Sequence, residues 1–431
     1  MNAHFKHIAQ SPLVRDSAKL LSANVIVQVI GIIVYPILTR IYSPEDFGVM
    51  NLFCSIAGIL TLFATAEYQS AIVLPRSNKE AFVLMRWGGI IMVTISIIVL
   101  ITIPLAQPIA QLFHTPNLAN WYWLMPICVI SMAAWNLINY WYIRQKEFGA
   151  ISRYQYSLSI LSASSKVGFG YAGLLRGGLI VSIVFGQVVS ILASIWHNRR
   201  SWLSLHRDVP FSIQESWNVA KRYRKFPLFN LPRSIVNYIS GQLPILLFAP
   251  VFGERCVGFW GMAILLGFAP ITMISKTLYQ ILYGYIATAQ KNHESIIPFI
   301  RRFTIRVIAI ELPALVILYF AMPILVTWIL GAEWLPTSDI LRWILPWVGV
   351  IILTSSTSFF SDLFQQQKIG FYFELVNAVL RLGSIGISIY THQYMIGVAL
   401  YAMSNFIVAA AMFIWHLSLA LKYERNERTL S

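Results

Sequence analysis

Thr39-Arg40-Ile41-Tyr42-Ser43-Pro44-Glu45-Asp46-Phe47-Gly48 is a short polar turn between two long apolar segments, residues 18–40 and 47–74. Each segment can cross a bilayer, because about 20 apolar residues at helical rise span the hydrocarbon core. The stretch therefore reads as the tip of a transmembrane hairpin that carries Arg40, Glu45 and Asp46. A looser echo near mid-chain, Phe252-Gly253-Glu254-Arg255-Cys256-Val257-Gly258, caps a second apolar hairpin. In both copies an aromatic precedes a glycine by six positions, Tyr42 to Gly48 and Phe252 to Gly258, and a proline lies upstream, Pro36 and Pro244. A weak repeat near half-length fits a duplicated architecture.

Working outward, the class is set by composition. Of 431 residues 57% are hydrophobic and 11% charged, where soluble domains carry about 25% charged residues. The apolar residues come in long runs, which predict an all-α polytopic membrane protein. Twelve spans are expected. The first six are 18–40, 47–74, 81–105, 121–143, 153–175 and 178–197, and the second six are 229–251, 256–288, 302–330, 337–364, 370–390 and 394–420. Residues 1–200 then form one six-helix bundle, 201–228 a basic connector and 229–431 a second bundle. The first twenty residues hold Lys6, Arg15, Asp16 and Lys19 without a short apolar stretch and cleavage site, so the first span reads as a retained signal-anchor.

Twenty-four of the 32 Lys and Arg fall at the termini, in the connectors after even-numbered spans or in the span ends that adjoin them. The odd connectors hold only Arg40, Arg176, Arg255 and Arg342. That bias puts both termini in the cytoplasm and accounts for most of the +15 net charge, so no nucleic-acid partner is needed. The central connector, with Arg199, Arg200, Arg207, Lys221, Arg222, Arg224 and Lys225, reads as a topology determinant resting on anionic head groups.

Several chemistries are excluded. The longest connector, His197 to Phe226, is too short for a catalytic or nucleotide-binding domain, and there is no Walker loop. Gly168-Phe169-Gly170-Tyr171-Ala172-Gly173 matches G-x-G-x-x-G but lies inside the fifth span. Small residues that let helices approach closely explain it better. Cys54, Cys128 and Cys256 have no metal or redox spacing and read as packing residues. No metal or cofactor is expected.

The informative residues are charges at membrane depth. Lys166, Arg233, Lys276 and Arg381 are the cations; Glu67, Glu311, Asp362 and Glu374 are the acids. A charge at the centre of a helix costs about 2.5–3.5 kcal/mol on insertion scales, so these groups must face protein or a water-filled cavity. Arg233, Asp362 and Glu374 lie near cytoplasmic ends, where long side chains snorkel. Lys166 and Arg381 sit near mid-span in the fifth helix of each half. Two readings stand for them: buried ion pairs with Glu67 or Glu311, or cationic walls of a cavity for an anionic substrate. Lys276 fits the second role as well. Glu67 and Glu311 are also candidates to carry a coupling proton or sodium ion. Prolines crowd the second half (Pro232, Pro244, Pro250, Pro270, Pro313, Pro323, Pro346) and predict kinked helices there.

Three stretches carry a resemblance: the first hairpin L-T-R-I-Y-S-P-E-D-F-G, the exit from the second span Glu67-Tyr68-Gln69-Ser70-Ala71-Ile72-Val73-Leu74-Pro75-Arg76, and the seventh span opening Phe226-Pro227 and continuing through Pro232-Arg233. With twelve spans, the chain resembles the Wzx-type polysaccharide flippases of the multidrug/oligosaccharidyl-lipid/polysaccharide exporter superfamily. The resemblance implies two six-helix bundles around a cavity open alternately to each side. It also implies an undecaprenyl-diphosphate-linked oligosaccharide substrate, moved from the cytoplasmic to the periplasmic leaflet of a bacterial inner membrane for O-antigen or capsule assembly. Membrane lipid, a polysaccharide polymerase and chain-length proteins would be its partners. The cationic cavity of such flippases maps onto Lys166, Lys276 and Arg381, with Arg233 at the cytoplasmic mouth. Positive-inside counting puts Arg40, Glu45 and Asp46 on the periplasmic side, where they read either as a tight connection or as an outer gate that meets Phe252–Gly258.

Relatives fit less well. A lipid II flippase is expected to carry an Arg-Asp pair well inside the first helix, whereas Arg15-Asp16 lies at its edge. A drug exporter is expected to use an acid within the first or seventh span, and neither has one. A membrane polysaccharide polymerase is expected to have a large charged periplasmic loop, but the longest outer connector, Ala106 to Asn120, has only His114.

Overall fold

The structure is a computed structural model that describes residues 12–175, 177–291, 295–363 and 366–430. Lys6, Arg176 and the side chains of Arg15, Asp16 and Asp362 lie outside what it describes. Among the described residues there is no strand, and the chain is a succession of helices. Twelve are long: α1 Pro12–Ile41, α2 Pro44–Thr65, α3 Asn78–Ile101, α4 Met125–Gln145, α5 Phe148–Tyr171, α6 Gly178–His197, α7 Leu231–Phe252, α8 Glu254–Lys291, α9 Ile297–Leu330, α10 Leu335–Ser356, α11 Gln367–Thr391 and α12 Tyr394–Leu430. Each falls on one predicted span.

Ten of these reach the length and apolar content of a membrane span. The described apolar part of α1, Ile26–Ile41, is shorter. Helix α5 is long enough, but serines at 152, 157, 159, 162, 164 and 165 dilute it. On α9 the apolar segment buries none of its residues inside the protein. Ile310, Ile317, Phe320, Ile324 and Trp328 stand out from it, an exposed apolar surface of the kind that lipid or a partner covers.

Local chemistry starts and stops the helices. Pro44 occupies the first turn of α2, where its missing N–H is not needed. Ser43 caps that end: its hydroxyl accepts from the Asp46 amide at 3.3 Å, and Asp46 Oδ2 accepts from the Ser43 amide at 3.0 Å. Gly253 (φ 83°) and Gly331 (φ 106°) close α7 and α9 in backbone conformations open to glycine alone.

Helix α2 ends earlier than expected. It stops at Thr65; Ala66 (φ 45°) and Glu67 (φ 61°) take left-handed conformations, and a four-residue helix, Tyr68–Ala71, follows. The apolar run misled because Ala71 and Ile72 are fully buried in protein. They join a core with Phe82, Leu84, Trp141, Tyr142 and Tyr154, from the start of α3, the end of α4 and the start of α5. Glu67 thus lies in a turn rather than within a span.

By its internal contacts the chain divides into two compact units, residues 1–257 and 258–431. The first contains α1 to α7 and the opening turn of α8. There α1 packs on α5, α5 on α6, and α2 on α4 and α7. In the second unit α12 packs on α10 and α11, and α9 on α10. The connector is more ordered than a charged loop. It forms two short helices, Arg199–Asp208 and Ile213–Arg222; Val219 and Ala220 of the second and Val209 between them enter the core of the first unit, and Trp202 packs against it. Arg222 Nη1 pairs with Glu80 Oε1 at 2.6 Å, and Arg86 Nη1 donates to the Pro210 carbonyl at 3.1 Å.

Candidate functional site

Helices α1 and α5 line an open cavity of about 310 Å³. The α1 wall is apolar, with Val27, Ile30, Val34 and Leu38, and adds Gly31 and Tyr35. The α5 wall is a polar stripe of Gln155, Ser159, Ser162 and Lys166. Their spacing of four, three and four residues puts them on one helix face. Ser162 and Ala163 are small, and Gly186 of α6 packs directly behind Ser162. Gln155 Oε1 is buried without a hydrogen-bond partner among the described residues. The cavity is thus a mainly apolar groove with a polar stripe along its α5 wall, and Lys166 is the one cation that lines it.

Lys166 is held from behind. Tyr42, buried in the first hairpin tip, donates its hydroxyl to the Lys166 carbonyl at 2.7 Å. Gly170 and Gly178 make room for that phenol: a Cβ on Gly178 would stand 2.4 Å from Tyr42 Oη, and one on Gly170 2.4 Å from the Ile41 side chain. Of the G-x-G-x-x-G stretch only Gly170 is packed in this way; Gly168 and Gly173 face open space. Among the described residues no carboxylate pairs with Lys166. Glu67 accepts instead from Gln69 Nε2 and Ser70 Oγ, both at 3.1 Å.

In the second unit Arg381 is fixed by a polar network. Its Nε and Nη2 donate to Asn405 Oδ1 at 2.9 and 2.6 Å. Asn405 is itself buried, accepts from Asn377 Nδ2 at 3.2 Å and donates to the Tyr401 carbonyl at 2.7 Å. The Arg381 guanidinium also lies 5.7 Å from the Tyr401 ring centre. Glu311 is elsewhere on α9, pressed against Gly349 of α10, where a Cβ would come within 2.3 Å of its Oε1. Its Oε2 is buried without a hydrogen-bond partner among the described residues, and no ion pair of Lys166 or Arg381 with Glu67 or Glu311, the alternative reading, is seen among them. Arg233 and Lys276 are exposed, on α7 and α8.

The structure brings the two tip motifs together within the first unit. Arg255 Nε lies 3.4 Å from Glu45 Oε1. Gly48 abuts the Glu254 carbonyl so closely that a Cβ would stand 1.8 Å from its oxygen. Asn117 Nδ2 donates to Glu254 Oε1 at 3.1 Å, and the His114 ring Nδ1 bonds the Pro250 carbonyl. Asp46 serves the Ser43 cap, and Arg40 Nη1 donates to the Pro36 carbonyl at 2.7 Å. Among the described residues no His, Cys, Asp and Glu group could hold a metal.

Three residues escaped the sequence reading: Gln155, Ser159 and Ser162. Their signal was the four-three-four spacing that ends on Lys166, hidden because uncharged residues were not weighed.

Known proteins frame this arrangement. A multidrug resistance MATE family transporter of the MOP superfamily, inward-facing, matches with a TM-score of 0.67 at 16% identity over 96% of this chain and 99% of its own. The lipid II flippase MurJ, in an inward closed conformation, matches at 0.68 and 13% identity over 95% and 91%. A MOP superfamily transporter from Pyrococcus furiosus, described as having a binding pocket of reversed polarity, matches at 0.50 and 16% identity over 95% of each chain. No curated protein matches the sequence. A family model described as polysaccharide biosynthesis protein matches residues 37–339, from α1 into α10. The chain belongs to that polysaccharide biosynthesis protein family and has the fold it shares with these MATE and MurJ structures.

Proposed function

We propose that this chain is a transporter, a flippase that moves a lipid-linked oligosaccharide across the membrane by alternating access. The observation that carries the reading is Lys166, a cation on the wall of an intramembrane cavity with no acid beside it among the described residues. A lysine at that depth is costly, and a bound anion would offset the cost. Coulomb attraction is strong in a partly dehydrated groove, and a diphosphate is the anion that a polyprenyl-linked sugar carries. Ser159, Ser162 and Gln155 offer hydroxyl and amide groups to the sugar. The family match to polysaccharide biosynthesis proteins supports this substrate class, as does the likeness to a lipid II flippase.

In this reading Arg381, held by Asn405, is a further phosphate-binding residue, and Arg233 and Lys276 add cationic positions on α7 and α8. The lipid is undecaprenyl diphosphate and the product an O-antigen or capsule repeat unit for a polymerase and chain-length proteins to extend. The bias of basic connectors supports cytoplasmic termini in a bacterial inner membrane. Contacts between Glu45–Gly48 and Glu254–Arg255 then form the periplasmic gate. Glu311, with its free carboxylate oxygen, is the candidate for coupling to a proton or sodium gradient.

Complementation of a flippase-null strain tests the reading. Lys166→Ala is expected to accumulate to wild-type levels in the membrane yet to abolish surface polysaccharide. Full restoration of polysaccharide by Lys166→Ala would sink the cationic-site idea.

A further inference from the structure

A second pocket, separate from the Lys166 cavity, lies where α5 begins and α6 ends. It measures about 190 Å³ and is lined by Arg153, Tyr154, Ser157, Ser190, Ser194, His197 and Asn198, with Ala150 and Ala193. Ligand pockets for drug-sized molecules run about 300–1,000 Å³, so this one suits a single small polar group. Its walls are pre-set. Tyr154 stacks on Trp135 with ring centres 3.3 Å apart. Tyr142 shares a 3.0 Å hydrogen bond with Ser194 Oγ and accepts from Asn198 Nδ2 at 2.6 Å. Ser190 is fully buried on the pocket wall, and its hydroxyl has no partner among the described residues. Arg153 makes no ion pair with the described carboxylates. The pocket is thus lined by one buried idle hydroxyl, Ser190, and one exposed guanidinium without an ion pair among the described residues, Arg153, and both suit an anionic acceptor.

The surroundings say which kind. Ile160, two turns along α5 from Arg153, is 54% exposed, and Leu192 of α6 is 59% exposed. Trp196 is 69% exposed, and its ring carries the Arg199 guanidinium at 4.5 Å. Indole under arginine at a helix end is the chemistry of the membrane–water interface. An anion seated here would have hydrocarbon-covering side chains directly on the membrane side of it.

We infer that the α5–α6 pocket binds the phosphate of an anionic phospholipid, with Arg153 and the Ser190 hydroxyl as its principal donors and the acyl chains lying on Ile160 and Leu192. Free inorganic phosphate offers the same donors' acceptor without the chains. The lipid is favoured because the pocket opens beside exposed apolar residues and beside the basic helix Arg199–Asp208. The inference is independent of the flippase reading, since no residue of this pocket lines the Lys166 cavity.

Native mass spectrometry of the purified full-length protein, titrated with phosphatidylglycerol and separately with phosphatidylcholine, tests it. Wild type is expected to bind one phosphatidylglycerol about tenfold more tightly than phosphatidylcholine, and Arg153→Gln to lose that preference. Lys166→Ala is expected to keep it. Should Arg153→Gln fail to purify as a monodisperse species, Ser190→Val, which fills the pocket without changing its charge, carries the same expectation. Equal binding of the two lipids by wild type, or an undiminished preference in the pocket variant, would overturn the inference. Displacement of phosphatidylglycerol by millimolar inorganic phosphate would assign the pocket to a free anion and overturn the lipid assignment.

Discussion

At the scale of single residues, two cations at similar sequence positions are held in opposite ways. Lys166 has a fixed backbone and a head free of acid partners, so its charge is available to whatever enters the groove. Arg381 has a fixed head, gripped by an amide that is itself buried and bonded on both sides. Hydrogen bonds to charged groups are worth about 1.5–3 kcal/mol each, so the grip decides where the guanidinium points. Asn405→Ala is expected to leave Arg381 charged but unplaced. In vesicles carrying a lipid-linked oligosaccharide, apparent substrate affinity should then fall about tenfold while the maximal rate changes less. A fall in rate alone, at unchanged affinity, would place Arg381 outside substrate binding.

At the scale of elements, the hairpin tips are joined by shape more than by charge. Glu45 and Arg255 are both partly exposed, 34% and 53%, and such pairs contribute about 0–1 kcal/mol. The close approach of Gly48 to the Glu254 carbonyl is far less forgiving, because backbone cannot swing aside. Gly48→Ala is expected to destabilise the protein by about 1–3 kcal/mol, read as an earlier thermal transition in detergent, whereas Glu45→Gln should barely move it. The helices themselves were legible because uninterrupted apolar runs have few alternatives in lipid. The end of α2 was not, since a buried turn and a continuing span share the same hydrophobic pattern. Nor were the connector helices, whose Trp202 and Val219 are too sparse among basic residues to announce a buried face. The stripe Gln155, Ser159 and Ser162 was readable in principle, but only once Lys166 had been given a cavity to face.

At the scale of the whole molecule, the proposed transport needs a source of free energy, and the proposal makes Glu311 the acid that taps one. It sits on the helix whose apolar segment is least buried in the protein yet faces α10, with one carboxylate oxygen idle among the described residues. Glu311→Gln preserves shape and removes the titratable group. Flipping in energised vesicles is expected to fall to the rate that wild type shows after the proton gradient is collapsed, and to become insensitive to that collapse. A variant that keeps full gradient dependence would assign coupling to another group and leave Glu311 a packing residue against Gly349.

The junction of the two tips has one practical property. Cys256 is half-buried there, one residue beyond Arg255, while Cys128 is buried deep within the first unit. In a Cys54→Ala, Cys128→Ala background, the native thiol becomes a clock for the opening of the tip. Its alkylation rate should rise in Gly48→Ala and change little in Glu45→Gln. The protein carries its own reporter at the one place where its two echoing sequence motifs touch.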